Sequence, residues 1–515
     1  MDTKALRQKI LDLAIRGKLV PQDPNDEPAE VLLERIREQK QQMLKEGKLK
    51  KKDIKNDTII FKGEDNLHYE KFQDGTVKCI EDEIPFEVPE GWEWTRLGNL
   101  SSLIQYGLSN SAETQGTHRL LRITDIQDGK VNWKDVPFTT VENAENYLLR
   151  KDDIVFARTG ATVGKSFLVT ELPFESVYAS YLIRIRLFDC ISPIYLYQFF
   201  NSYCYWEQIT DKSVGVGQPN CNGTSLKELF IPLPPLHEQK RIVPAANALL
   251  KYASVIESEK ASLQEIIDLT KSKILDLAIR GKLVPQDPND EPASVLLERI
   301  RSEKEELIKQ GKIKRDKKES VIFKGDDNSY YEKVGNKVNC IDEEIPFELP
   351  EGWAFIRLKT AWELISGRDL SPSEYNDKKD GIPYITGASN FRNGHISLVR
   401  WTTIPQVITR RGDLLLTCKG TIGEIAHNNF GKAHIARQIM AIRNNYSLNV
   451  DFLALCIKYS MTKIKQAAKG LIPGISREDI LNLVIPIPPI KEQENICNKL
   501  KVTFSAIEHI EKSLN

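Results

Sequence analysis

Apolar residues recur at spacings of three and four from Leu236 through Ile256, Leu263, Ile266, Ile267, Leu269, Ile274, Leu275 and Leu277 to Ile279, and the first glycine in that stretch is Gly281. This period marks an amphipathic helix and predicts one long rod that ends at Gly281 and bends near Pro244. At 1.5 Å per residue, nearly 50 residues give roughly 70 Å. A rod of that kind needs a partner helix to bury its stripe. Shorter helices are predicted over 29–46 and 293–310, the first carrying Val31, Leu32, Leu33 and Ile36 on one side. Elsewhere the pattern changes: the apolar runs at 152–160, 181–186, 412–420 and 438–443 follow turn residues and read as strands. These runs predict two mixed α/β domains, each with a substantial sheet.

The chain carries one segment twice. Ile10-Leu-Asp-Leu-Ala-Ile-Arg-Gly-Lys-Leu-Val-Pro-Gln-Asp-Pro-Asn-Asp-Glu-Pro-Ala returns at Ile274, and Glu83-Ile-Pro-Phe-Glu-Val-Pro-Glu-Gly-Trp returns as Glu344-Ile-Pro-Phe-Glu-Leu-Pro-Glu-Gly-Trp. After Trp92 and Trp353 come stretches of about 140 residues that share only scattered positions. A constant frame around two divergent inserts fits a frame that sets geometry and inserts that read two different things.

Ile231-Pro-Leu-Pro-Pro-Leu-His-Glu-Gln, which begins the rod, also recurs, as Ile485-Pro-Ile-Pro-Pro-Ile-Lys-Glu-Gln. The second rod stops where the central one reads Glu259-Lys-Ala-Ser, while residues 3–19 match 267–283, so the missing piece stands at the other end of the chain. The implied architecture is a circularly permuted, pseudo-twofold repeat in which residues 1–19 continue 491–515 and both lie antiparallel to 236–283. Ile10, Leu13, Ile274 and Leu277 are expected to be buried. Independent tandem domains on a flexible tether would explain the repeats but not the divided helix. The expected divisions are 1–20 (N-terminal helix), 21–88 (connector and short helix), 89–230 (first insert), 231–284 (central helix), 285–349 (second connector), 350–484 (second insert) and 485–515 (C-terminal helix).

Composition changes this picture little. The 72 Lys and Arg balance 72 Asp and Glu, giving no whole-molecule basic signal. Residues 45–55 and 309–318 are locally basic and suit either a solvated connector or phosphate contact. No apolar run is long enough to span a bilayer and no signal peptide is evident, so a cytoplasmic location is expected, with no membrane partner. The eight Cys stand singly and the seven His show no ligand spacing, which disfavours disulfides and a zinc site.

No catalytic constellation emerges. Gly160-Ala-Thr-Val-Gly-Lys-Ser is one residue short of a phosphate loop, and its counterpart Gly420-Thr-Ile-Gly-Glu has an acid in place of the lysine, so a glycine-rich turn is expected. Methyl-donor and base-methylating motifs are absent. His434, near Arg437, suits either a ligand contact or a structural role. What the inserts carry is basic residues on strand and turn elements. These are Arg119, Arg122, Lys130, Arg158, Lys165, Arg184 and Arg186 in the first insert, and Arg368, Arg392, Arg410, Arg411, Lys419 and Arg437 in the second. Alternation puts Arg184 and Arg186 on one strand face. Such side chains suit phosphates or a guanine edge, and Gln105, Ser109, Asn220, Ser389 and Asn390 suit adenine or mixed contacts.

On its duplicated Ile-Pro-[Leu/Ile]-Pro-Pro-x-x-Glu-Gln, the rod that follows, Gly-x-Leu-Val-Pro-Gln and Pro-Glu-Gly-Trp, the whole chain resembles a specificity subunit of a type I restriction-modification enzyme. The resemblance implies two target recognition domains, each reading half of a bipartite, asymmetric site in double-stranded DNA. It implies helices that act as a ruler and bind two methyltransferase subunits, with restriction motor-nuclease subunits joining for cleavage. It further implies no active site and no cofactor of its own, since S-adenosylmethionine, ATP and magnesium belong to the partners. The family's Gly-x-x-Gly turn falls at Gly420 and Gly423, and with one extra residue at Gly160 and Gly164. A stand-alone nuclease or methyltransferase would need a matched catalytic motif, which is missing. A coiled-coil adaptor that binds only protein would lack basic surfaces on the inserts.

Overall fold

The computed structural model describes residues 2–127, 129–212, 220–311, 319–392, 394–446, 448–467 and 474–514. Its contacts separate the chain into two units, Met1–Ala261 and Ser262–Asn515. The rod is a single helix, Leu236–Ile279, with Pro244 inside it, and its residues are divided between the units. The N-terminal helix spans Thr3–Ile15, the C-terminal helix Ile490–Leu514, and the two short helices Ala29–Lys45 and Ala293–Lys309. The first basic run includes the turn of helix Lys51–Ile54. Residues 312–318 of the second run lie outside the described residues.

In the first unit, Leu6, Ile10 and Ala14 pack with Ile242, Ala246, Leu250 and Ala253. Arg7 pairs with Glu257 at 3.0 Å while Gln22 reaches Glu238 at 3.4 Å, so the N-terminal helix runs antiparallel to the start of the central one. The second unit repeats the arrangement with the end of the central helix and the C-terminal helix: Lys271, the counterpart of Arg7, pairs with Glu511, the counterpart of Glu257, at 2.8 Å. Of the four expected core positions only Ile10 is buried; Leu13, Ile274 and Leu277 are half-buried. Full burial falls instead on Ala14, Ile15, Ala278 and Ile279. Ile15 and Ile279 join the insert cores, so each helix turns one face to a helix and another to an insert, and a single stripe does not describe it.

The repeated motifs hold these parts together. Gly17 and Gly281 end their helices at φ +65°, and Lys18 and Lys282 donate back to Leu13 and Leu277 at 2.8 Å, a left-handed cap that favours glycine. A Cβ on either glycine would lie 2.4 Å from Pro89 Cγ or 2.6 Å from Pro350 Cγ, so the cap is packed against Pro-Glu-Gly-Trp. The Trp of that motif meets the Glu of Pro-Pro-x-x-Glu-Gln: Trp92 donates to Glu238 at 2.8 Å, and Trp353 to Glu492 at 2.9 Å. The adjoining Gln239 and Gln493 donate to the carbonyls of Pro234 and Pro488 and accept from the backbone N–H of Ser192 and Asn449. Burial pushes both glutamate carboxyls above their usual range, and the indole bond works against that shift.

Each insert is closed by its own ends. Glu93–Arg96 pairs antiparallel with Phe230–Leu233, and Ala354–Arg357 with Val484–Ile487. Inside the first insert, Ser166–Leu168, Ile154–Ala157, Leu182–Leu187 and Ser101–Tyr106 form an antiparallel sheet in that order. A second sheet sets Ser176–Tyr178 parallel to His118–Leu121 beside Phe138–Thr139. The second insert repeats both, with Ile425–His427, Leu414–Thr417, Ile439–Asn444 and Trp362–Ser366 in one sheet. Tyr384 and Ile385 pair parallel with His434 and Ile435 in the other. Each connector adds a three-stranded meander, of Ile59–Lys62, His68–Lys71 and Val77–Cys79 in one unit and Ser320–Lys324, Tyr330–Val334 and Lys337–Cys340 in the other.

Candidate nucleic-acid interface

At one end of each insert four turns are joined by the same backbone hydrogen bonds. In the first, Gly107 N–H donates to Leu182, Ala179 to Leu121, Arg158 to Tyr181 and Cys221 to Arg158. In the second, Gly367 donates to Ile439, Ala436 to Ile385, Cys418 to Gln438 and Ile475 to Cys418. Isolated bridges match as well, Thr159 with Asn220 and Lys419 with Gly474. The backbone frame is therefore common while the side chains on it are exchanged: Arg158 for Cys418, Thr159 for Lys419, Tyr181 for Gln438, Leu108 for Arg368.

Glycine makes these turns approachable. Gly160 and Gly420 have φ of +72° and +74°, and among the described residues a Cβ on either would meet nothing within 4 Å. Gly164 differs, because its Cβ would strike Trp206 at 2.6 Å, so it serves packing. The expected glycine-rich turn is present at both places as a strand connection.

In the first insert Arg158 lies with its guanidinium 4.7 Å from the ring centre of Tyr106, and its buried Nε has no hydrogen-bond partner among the described residues. Tyr106 and Tyr181 beside it are 40% and 61% exposed, a stacking surface next to a cation. Lys165 is exposed on the same turn, Asn220 is exposed where it bridges Thr159, and Ser109 is exposed as well. In the second insert Arg368, Ser389, Arg392 and Lys419 are exposed. Arg437 is 67% exposed and pairs with Asp369 at 2.7 Å.

The structure takes several of the expected residues away from this end. Arg184 is 1% exposed; its guanidinium donates to the carbonyls of Asn146 and Leu148 and to the Gln105 side chain, and burial lowers its pKa. Gln105 is committed to it. Arg186 makes a two-pronged bond with buried Asp153 at 2.7 Å, and Arg443 does the same with Asp413 in the second insert. This matched pair is part of the frame. Strand alternation placed Arg184 and Arg186 on one face correctly, but that face looks into the insert.

Arg119 is held by Val136 O and by the rings of Phe138 and Phe174. Arg122 is bound to Asp125 through two bonds, which raise its pKa. Arg410 precedes strand Leu414–Thr417 and bonds Asn445, whereas Lys419 follows the strand, so the two stand at opposite ends of it; exposed Arg411 stays with Arg410, and exposed Lys130 lies on the small hairpin with Gln127. Asn390 is buried and ties Thr386 to Ser397. His434 is buried, shares Nδ1 with Val407 and stacks on Tyr384 at 5.0 Å, a structural placement. Tyr106 and Tyr181 were missed; Tyr181 stands directly before an alternating strand, which hints at an end position but not at exposure.

A family model described as the type I restriction modification DNA specificity domain matches residues 89–267 and 350–515. Among curated proteins, the specificity subunit of the type I restriction enzyme EcoAI from Escherichia coli is 28% identical, covering 97% of this chain and 90% of that one. The EcoEI specificity subunit, also from Escherichia coli, is 26% identical over 99% and 90%. A chain solved in work on complex assembly and conformational transition of the type I R-M system superposes with a TM-score of 0.62 at 21% identity, covering 84% of this chain and 94% of that one, and so shares its fold.

Proposed function

The chain belongs to the family of type I restriction-modification DNA specificity subunits, a non-catalytic family of sequence-specific DNA recognition subunits, and on that premise we propose that its two inserts read two different half-sites of one double-stranded target. The observation that supports this reading is the pair of matched turn clusters, alike in their backbone hydrogen bonds and unlike in the side chains named above. Equal frames deliver side chains to the same depth, and unequal side chains then select different bases. In the first insert Arg158, Lys165, Tyr106 and Tyr181 make the contacts. In the second the contacts come from Arg368, Lys419 and Arg437, the last released from Asp369 to meet DNA. Two methyltransferase subunits act on the site so defined, with restriction subunits joining the complex for cleavage. A net charge of zero suits a chain whose DNA affinity rises on assembly with those partners.

Because each insert begins and ends on one pair of adjacent strands, residues 93–233 can be replaced by a second copy of 354–487 without changing the frame. Methylated-site sequencing with the partner methyltransferase should then find an inverted repeat of the second half-site. Recovery of the original asymmetric site from the exchanged chain would overturn the reading.

A further inference from the structure

Three positions of the repeated frame are polar in the first unit and less so in the second: Glu30, Glu93 and Thr95 correspond to Ser294, Ala354 and Ile356. All three border one space. In the first unit the helix Ala29–Lys45 and the strands Ile59–Lys62 and Glu93–Arg96 surround a cavity of about 460 Å³, with Leu33, Ile36 and Ile60 among its walls. The corresponding space in the second unit, lined by Leu297, Ile300, Ile322 and Ile356, holds about 30 Å³. An apolar seam can close on itself, whereas carboxylates and a hydroxyl must keep access to water or to a ligand.

The other charges around the cavity are engaged. Lys40 pairs with Asp57 at 2.7 Å, Lys62 pairs with Glu87 at 3.3 Å, and Arg37 donates to the carbonyl of Leu33 at 3.3 Å. Glu30 and Glu93 have no ion-pair partner among the described residues, and they repel each other. Burial, with Glu30 nearby, pushes the Glu93 carboxyl up to about 7. The second unit avoids that cost with alanine, and costs of this kind collect where a ligand binds. The cavity has the size and the mixture of apolar wall and few polar groups that a small molecule needs. A hard metal ion takes about six to eight oxygen ligands, and the walls beside the two acids are hydrocarbon. An alkylammonium suits both features, since its charge meets the acids and its methylenes meet the walls.

We propose that this cavity of the first unit binds a small organic cation, an alkyl amine whose ammonium meets Glu30 and Glu93 and whose carbon chain lies along Leu33, Ile36 and Ile60. The bound amine supplies the counter-ion that the two acids lack, and it ties the short helix to the strand that opens the first insert.

Isothermal titration calorimetry of the full chain with 1,5-diaminopentane, at pH 8 and low salt, should find one site. The uncharged 1,5-pentanediol should give no heat. Because the Glu93 carboxyl ionises only near 7, affinity should fall by about tenfold from pH 8 to pH 6. Glu93→Gln keeps the shape of the side chain and should weaken binding by about tenfold or more. Glu30→Ser, at an exposed helix position, brings in the second unit's residue and should also weaken it. Thermal unfolding of both variants checks that they fold. Binding by either variant as tight as that of the unaltered chain would overturn the proposal, as would two sites, equal binding of the diol, or equal heat from magnesium chloride. Loss of the diamine site on assembly with the methyltransferase subunit would assign the two acids to a partner's lysine and overturn the free amine. The titrations contain no DNA, so their outcome is independent of the half-site reading proposed above.

Discussion

Trp92 and Glu238, 146 residues apart in sequence, meet through one buried hydrogen bond of 2.8 Å, and that bond fastens the beginning of the first insert to the beginning of the central helix. Trp92→Phe strands the Glu238 carboxyl in its buried place, at a cost of about 2 kcal/mol. The folded carboxyl has a raised pKa, so the folded state holds a proton that the unfolded state gives up, and stability falls as pH rises from the ordinary carboxyl range through the raised value. Losing the indole donor raises that pKa further. The variant's deficit in denaturant unfolding should therefore be larger at pH 8 than at pH 5, and Glu238→Gln in the same background should recover most of it at pH 8.

Glu93 gives the same linkage with no partner among the described residues. Burial, with Glu30 nearby, pushes its carboxyl up to about 7. Stability contributed by its neutral form is present below the unfolded carboxyl pKa and is lost as pH rises toward 7. Position 354 in the second unit is alanine and carries no such cost. Glu93→Gln should stabilise the chain by about 1–2 kcal/mol at pH 8, after allowance for solvent screening, and by little at pH 4. Equal stabilisation at both values would show that ionisation is not the cause.

Gly281→Ala should cost about 1–3 kcal/mol, because it places a Cβ at φ +65° against Pro350. Gly420→Ala, with similar φ and nothing within 4 Å among the described residues, should cost about 1 kcal/mol from conformation alone. Paired thermal melts separate packing from backbone strain.

Lys419→Ala and Arg443→Ala divide reading from structure. The first should leave the melting curve unchanged and weaken target binding, with the salt slope of affinity reduced by about one if the contact is to phosphate. The second breaks the Arg443–Asp413 pair and should lose about 3 kcal/mol of stability. Fluorescence anisotropy of the assembled complex across a salt series, beside calorimetry, reads both.

Four residues inserted near Ser262 lengthen the central helix by roughly 6 Å, and one base pair spans about 3.4 Å. The two half-sites should keep their sequences while the gap between them grows by one or two base pairs, with a matching insertion in the partner helix to preserve packing. Methylation mapping that returns an unchanged gap would assign the spacing to the inserts.

How much of this was legible in sequence depended on what each residue answers to. The frame was legible because local chemistry fixes it: Gly17 and Gly281 cap helices wherever they fall, and the short helices ended within one residue of their expected bounds. The reason for Pro-Glu-Gly-Trp was not legible, since Trp92 depends on an acid 146 residues away. Arginines were the hardest. Arg158, Arg184 and Arg186 share one insert and one residue preference, yet one lies against an exposed tyrosine, one is interior and one is paired. Alternation gives the face of a strand but not which face is covered, because the covering layer comes from elsewhere in the chain.

The antiparallel contact of Arg7 with Glu257 also fixes an order of events during synthesis. The helix Thr3–Ile15 leaves the ribosome well before its partner, because the residues that cover Leu6, Ile10 and Ala14 follow about 250 positions later. At roughly 5–20 residues per second, that apolar side waits about 12–50 s for its partner. During this interval the short helix depends on its Asp2 cap and on chaperones to stay out of other contacts, so slowing translation ahead of Leu236 should raise aggregation of the nascent chain more than slowing it afterwards.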